Sequence, residues 1–458
     1  SVICSKFLIV VSIILYSNFS VGSILLRFNE KGFKVEKTSL RQVTPFSNNL
    51  WQTDQIVKIH NGLPGEINRK ESLWNLEGEF GIKHVDIHSL SGDIVVSVID
   101  TGVSDHFELK HSLLPGMDFV SSSELSLDGD GRDEDSSPFI YFDEVSLEKC
   151  GNLSLSSVSH GTHVAGLIAG DKGNDSSFYG VLDSVKILPV RALGPCGGSL
   201  SDLLDSLLWS GGFEVDGSFK NSSPANVINL SLGAYGKCPD SLQSVIDKLS
   251  KKGVAIVVSA GNEGVDLDSY EFFPANCKNV ITVGATNVDG DKSDYSNYGK
   301  DVILAPGGDN STPISSTFYN INGSNEIYGA LYGTSMAAPH ISAIVAYILS
   351  KNLNISGGGI KQILRLNTTN NIVSMEKVVS FVNSENFSSF VENNKMDPRA
   401  FDNNEGETTK SITSCGSIGL QSGNSGLNNL FLVILSFICF SYFFRKASSL
   451  MDVLFKFV

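Results

Sequence analysis

Basic charge is scarce in this chain. Its 34 lysines and arginines stand against 49 aspartates and glutamates, a formal charge of −15. Nucleic-acid binding needs clustered cations that release counterions, so that class is excluded. No internal repeat is visible. Neither long apolar run, FLIVVSIILY at 7–16 or LFLVILSFICFSYFF at 430–444, reaches the roughly 20 residues of a full bilayer span. The His160-x-x-His163 pair lacks the glutamate of HExxH and a third ligand, which argues against a zinc centre. The acidic stretch 128–135 lacks the closing glutamate of an EF-hand.

What is present points to a globular α/β domain rich in turns: 41% hydrophobic residues, 18% charged residues and 44 glycines. The run at 7–16 follows Lys6 and precedes small residues at 20–23, which predicts a signal peptide over 1–23. Residues 24–71 mix charges with scattered apolar positions and are expected to be a prosegment. At the other end, 387–426 is rich in Asn, Ser, Glu and Gly and reads as a polar stalk. The apolar run beyond it is extended by residues 426–429 and stopped by Arg445 and Lys446. It predicts a transmembrane segment at 427–444 and a cytoplasmic tail at 445–458, with type I topology and the body of the protein extracellular or lumenal. Asn-x-Ser/Thr sites, among them Asn152, Asn221, Asn310, Asn322, Asn354, Asn367 and Asn386, permit a glycosylated secretory protein. Asn229 also matches, but it lies in an apolar run and is expected to be buried.

Between these ends, 72–386 is expected to form one domain. Val/Ile/Leu-rich runs at 93–100, 185–193, 226–233, 254–262, 280–286 and 301–307 predict strands buried on both faces. Segments 160–170, 200–210, 240–252 and 335–350 predict helices. The alternation predicts a three-layer, doubly wound α/β fold with a mostly parallel sheet. Sites in such sheets lie beyond the carboxyl ends of the strands.

Three short blocks fall at such positions: SVIDTGV (97–103), SHGTHVAG (159–166) and GTSMAAPH (333–340). Asp100 ends a strand, while His160 and Ser335 are expected to begin helices. Each alone has a bland reading as a turn acid, a packed imidazole or a helix cap. Together they supply an acid, a base and a hydroxyl nucleophile, the set that acyl transfer by covalent catalysis requires. Asn262, in SAGNEG, adds a side-chain donor for the oxyanion of a tetrahedral intermediate.

These blocks resemble, without a break, the acid, base and nucleophile motifs of the subtilisin-type serine proteases. The resemblance covers roughly 72–385 and implies a subtilisin-like fold and a serine endopeptidase. In it, Asp100 orients the histidine, His160 is general base and then acid, Ser335 attacks the scissile carbonyl, and Asn262 stabilises the oxyanion. It implies protein or peptide substrates, an inhibitory prosegment and no catalytic cofactor. NLSLG (229–233) resembles the strand that pairs with extended substrate, and LGPCGGS (193–199), with Gly198, the opposing edge. Ser231, Leu232 and Gly233, with Ser259, Ala260 and Gly261, would wall the pocket for the residue before the cut. Its base would come from 271–273, in a register the sequence leaves open.

Of the seven cysteines, Cys4 lies in the signal and Cys439 in the apolar tail, and Cys150, Cys196, Cys238 and Cys277 lie well inside the domain. Four cysteines allow three pairings. The DGDGRD insertion before the histidine resembles a secreted bacterial-type branch, and that resemblance implies Cys150–Cys196 and Cys238–Cys277. It also implies structural calcium at Asp128, Asp130, Asp133 and Asp135, with a second candidate joining Glu108 to Asp171, Asn174 and Asp175. The alternative to a protease is a catalytically silent relative acting as a surface binding module.

Overall fold

The computed structural model describes residues 73–87, 90–128, 130–138, 155–172, 178–194, 197–319 and 327–396, with the backbone of strands Leu25–Asn29, Gly32–Glu36 and Gln55–Asn61. The expected signal peptide, most of the stalk, the apolar tail, Cys150 and Cys196 lie outside the described residues. Among the described residues no helix is long and apolar enough to cross a membrane.

The body is a nine-stranded sheet. In chain order its strands are β1 (Val95–Asp100), β2 (Met117–Asp118), β3 (Lys186–Arg191), β4 (Val227–Leu230), β5 (Ala255–Ser259), β6 (Ile281–Thr286), β7 (Ile303–Pro306), β8 (Thr368–Thr369) and β9 (Ile372–Val373). The spatial order is β8-β9-β7-β6-β5-β4-β1-β3-β2, and every pairing is parallel except the β8–β9 edge hairpin. Apolar side chains alternate across it. Val96, Val98 and Val257 enter one core, and Val95, Ile99, Ile256 and Val258 the other. Burial on both faces explains the unbroken Val/Ile runs.

Helices α1 (Leu155–Ala169), α4 (Thr334–Lys351), α5 (Gly357–Leu366) and α6 (Met375–Val382) pack into the first core, and α2 (Leu200–Ser210) and α3 (Asp240–Lys251) into the second. Three layers result, as expected. Helix α3 shows why its sequence folds so: Leu242, Ile246 and Leu249 fall on one face and are buried, and Lys248 and Lys251 sit in the last turn. In α2, Ser199 caps by accepting from the Asp202 N–H at 3.1 Å. Helix α4 is buried from Thr334 to Ser350, an apolar rod through the centre.

Two boundaries differ from expectation. Helix α1 begins at Leu155, so His160 sits inside it rather than at its start. The stalk does not begin at 387: Asn386–Asn393 is a helix, α7, whose Phe387 and Val391 are buried against the core. Within the expected prosegment, Gln55–Asn61 pairs antiparallel with Ile327–Tyr332, which in turn pairs with Ile314–Thr317. Asn229 is fully buried as expected, but Asn221 is buried too and donates to the Trp209 carbonyl at 2.9 Å, so it is no glycan acceptor in this fold.

Candidate active site

The structure brings Asp100 and His160 into direct contact. Asp100 is the last residue of β1, at the carboxyl edge of the sheet, and is fully buried. His160 Nδ1 lies 2.8 and 2.9 Å from the two carboxylate oxygens. The Thr101 N–H donates to Asp100 Oδ1 at 2.7 Å, and the Thr101 hydroxyl accepts from the Gly161 N–H at 3.1 Å, so strand end and helix are tied together. Only glycine fits at 161: a Cβ there would stand 2.3 Å from the Gly102 carbonyl oxygen and 3.1 Å from Asp100 Cβ. Any side chain would push the imidazole off its acid.

His163 faces the other way. Its Nε2 donates to the Ile314 carbonyl at 3.0 Å, and burial pushes its pKa down to about 3, so it is a neutral core histidine. His340 behaves alike: Nδ1 donates to the Met336 carbonyl, Nε2 accepts from Asn75 Nδ2 at 2.8 Å, and burial lowers its pKa to about 4.

Ser335 is the second residue of α4 and is buried. Pro339, four residues on, has no N–H to close the usual helical bond to the Ser335 carbonyl. That carbonyl accepts instead from the Ser231 hydroxyl at 2.9 Å, and the Ser335 hydroxyl donates to the Ser231 carbonyl at 3.3 Å. Asn229 Nδ2 donates to the Ser231 hydroxyl, and Ser342 donates to Asn229 Oδ1. The NLSLG segment is therefore stitched to the serine helix.

Asn262 stands against the same helix end. Its Oδ1 accepts from the Thr334 N–H at 2.9 Å and the Thr334 hydroxyl at 3.0 Å, which directs Nδ2 away from Thr334. Thr334 also accepts from the Gly261 N–H at 3.1 Å. Beneath the loop, Asn297 is fully buried. Its Nδ2 donates to the Ala260 carbonyl and Glu263 Oε2, and its Oδ1 accepts from the Glu263 and Val265 N–H groups. Sequence reasoning missed Thr334 and Asn297 as organisers. Thr334 lies inside the GTSMAAPH block, but nothing local marks Asn297.

The segments Ser231–Gly233 and Ser259–Gly261 are both buried near the serine, and Gly198 directly follows the reciprocal Gly194–Gly197 backbone bonds at 2.9 and 3.0 Å. Phe272–Phe273 pairs antiparallel with Ala234–Tyr235, directly after Gly233. Cys238 and Cys277 form a disulfide that clasps these two strands.

The described residues do not show the expected calcium sites. The guanidinium of Arg191, fully buried on β3, contacts both Asp118 and Asp128 and donates to the Ser126 carbonyl. Asp133 and Asp135 spend an oxygen each on backbone N–H groups of Asp135 and Ser137, and Asp130 is exposed. Glu108 accepts from the Tyr328 hydroxyl at 2.6 Å. Asn174 and Asp175 lie outside the described residues. Among the described residues no group of three or more His, Cys, Asp or Glu is placed to hold a metal. Arginine supplies the positive charge in the 128–135 loop: Arg132 pairs with Asp202 and Asp205 at 2.8 and 2.7 Å.

Comparison with known proteins agrees with this geometry. The subtilase family model, Peptidase S8, matches residues 91–405. The chain belongs to the subtilase family. An extracellular basic protease of Dichelobacter nodosus is 40% identical over 289 residues, 60% of this chain and 47% of the relative. An extracellular protease of Xanthomonas campestris is 39% identical over 259 residues, 56% of this chain and 44% of the relative. The chain thus spans less than half the length of these curated relatives. A solved protease structure from Pseudoalteromonas arctica superposes with a TM-score of 0.61 at 32% identity, over 69% of this subtilase and 98% of that chain.

Proposed function

We propose that this subtilase is a serine endopeptidase. Ser335 Oγ attacks the scissile carbonyl carbon and passes its proton to His160 Nε2 as the C–O bond forms. The imidazolium so created is stabilised by Asp100 at Nδ1, and Asn262 Nδ2 donates to the developing oxyanion. His160 then protonates the leaving amine, the C–N bond breaks, and an acyl-enzyme remains on Ser335. In the second half His160 takes a proton from water as the hydroxide attacks the acyl carbon; the ester bond to Ser335 Oγ then breaks, His160 returns the proton to that oxygen, and the product leaves with a new carboxylate end. The substrate lies extended between 229–233 and the loop around Gly198.

What supports the reading most is the His160–Asp100 contact at 2.8 Å, set at the carboxyl edge of a parallel sheet. The extracellular names of the two relatives support export, with 1–23 as the signal. In the finer reading, 24–71 is an inhibitory prosegment cut between about 60 and 74, and 427–444 tethers the protein to a membrane. Pairing of Gln55–Asn61 with the strand that runs towards Ser335 supports an inhibitory role for that segment. The test is cleavage of an unfolded protein substrate by the purified protein, with new termini mapped by mass spectrometry. Turnover lost in His160→Ala is expected; equal cleavage by wild type and His160→Ala would overturn the reading.

A further inference from the structure

The two walls assigned to the residue before the cut are glycine-lined, which ordinarily leaves a deep slot. Here the slot holds a ring. A Cβ on Gly233 would stand 2.2 Å from Phe272 Cε1 and 2.8 Å from Cζ, and a Cβ on Gly261 would stand 2.8 Å from the same Cε1. One edge of one ring is therefore in van der Waals contact with both walls. Beside it, Glu263 Oε2 lies 2.6 Å from the Gly261 Cβ position and is held by Asn297 Nδ2 at 2.6 Å.

We infer that Phe272 is the specificity-determining residue of this protease and restricts the residue before the scissile bond to a small, uncharged side chain such as Ala or Ser. The inference deepens the endopeptidase reading and rests on it. Three observations make the ring a fixed floor rather than a gate. Phe272 is 3% exposed. Its ring meets Tyr235 edge-on at 5.6 Å. Its strand is paired to 234–235 and clasped by Cys238–Cys277. A larger side chain would have to displace a buried aromatic held on three sides, in a closely packed setting where added volume is poorly accommodated. A long cationic side chain would reach the Glu263 carboxylate only through the space the ring fills. The acidic residue at 271 is exposed and pairs with Lys237 at 3.7 Å.

The test is a series of peptide anilides identical except at the residue before the cut, carrying Ala, Leu, Phe, Lys or Glu. Wild-type kcat/KM is expected to be highest for Ala and at least ~10-fold lower for Leu, Phe and Lys, the range one misfitting group commands in an apolar pocket. Phe272→Gly is expected to raise kcat/KM for Leu and Phe by about 10–200-fold while Ala changes little. Wild-type preference for Phe or Lys over Ala overturns the inference, and needs no variant to fold. So does a Phe272→Gly protein that melts as wild type but keeps the wild-type ranking. Failure to cleave any of these peptides, with no labelling by a fluorophosphonate, would sink the endopeptidase reading instead, and this inference with it.

Discussion

Thr334 holds Asn262 through two hydrogen bonds to one oxygen, from its backbone N–H at 2.9 Å and its hydroxyl at 3.0 Å. The residue before the proposed nucleophile thereby aims the proposed oxyanion donor, so both halves of the acyl-transfer machinery hang on one helix end.

Replacing Thr334 with valine keeps the N–H but removes the hydroxyl, and leaves the Gly261 N–H without its acceptor. Leaving a buried donor unmade costs about 1–3 kcal/mol. The expected outcome is a kcat reduced by about 10-fold with KM little changed, against the larger loss of about 10²–10³ for Asn262→Ala, a magnitude that comes from subtilisin itself. In the double variant, steady-state kinetics should show no further loss beyond Asn262→Ala. Full additivity would mean that Thr334 does not act through Asn262.

Acid should destabilise this fold through its core histidines. Burial holds His340 near pKa 4 and His163 near 3, below the ordinary 6.5. Above pH 6.5 neither state binds these protons, so they contribute nothing. Between about 6.5 and 4 the unfolded chain takes up protons that the folded chain refuses, and stability falls as pH falls, by up to ~1.4 kcal/mol per unit of displacement. Urea midpoints at pH 8, 6 and 5 should show this, with a shallower slope in His340→Gln. An identical slope in that variant would remove His340 from the account.

Arg191 should matter to stability more than any surface cation. It is the buried partner of Asp118 and Asp128, and removing one member of a buried pair costs about 3–5 kcal/mol. Arg191→Gln is expected to lower the urea midpoint accordingly. A variant as stable as wild type would show that the 128–135 loop is not anchored by this guanidinium.

Much of this was legible in the sequence because it is local. All six runs chosen as strands are strands, since burial on both faces writes itself as unbroken Val and Ile; α2 carries its Ser199 cap openly, and α2 and α3 both show an apolar stripe. What stayed hidden depends on distant partners. Asn297 organises a loop more than thirty residues upstream, as its bonds to Glu263 and Val265 show. The DGDGRD stretch resembled a cation cage, whereas the cation that Asp128 meets is Arg191, 63 residues away. The start of the stalk was misplaced because α7 buries only Phe387 and Val391 among polar neighbours. The register of 271–273 stayed open because it depends on the pairing of 272–273 with a distant strand at 234–235.

The proposed mechanism turns on Ser335 as a nucleophile activated by His160. Labelling with a fluorophosphonate, followed by mass spectrometry of the adduct, tests it most directly. A single adduct on Ser335 is expected in wild type, none in Ser335→Ala, and labelling slowed by orders of magnitude in His160→Ala. An adduct that forms equally in Ser335→Ala would contradict it.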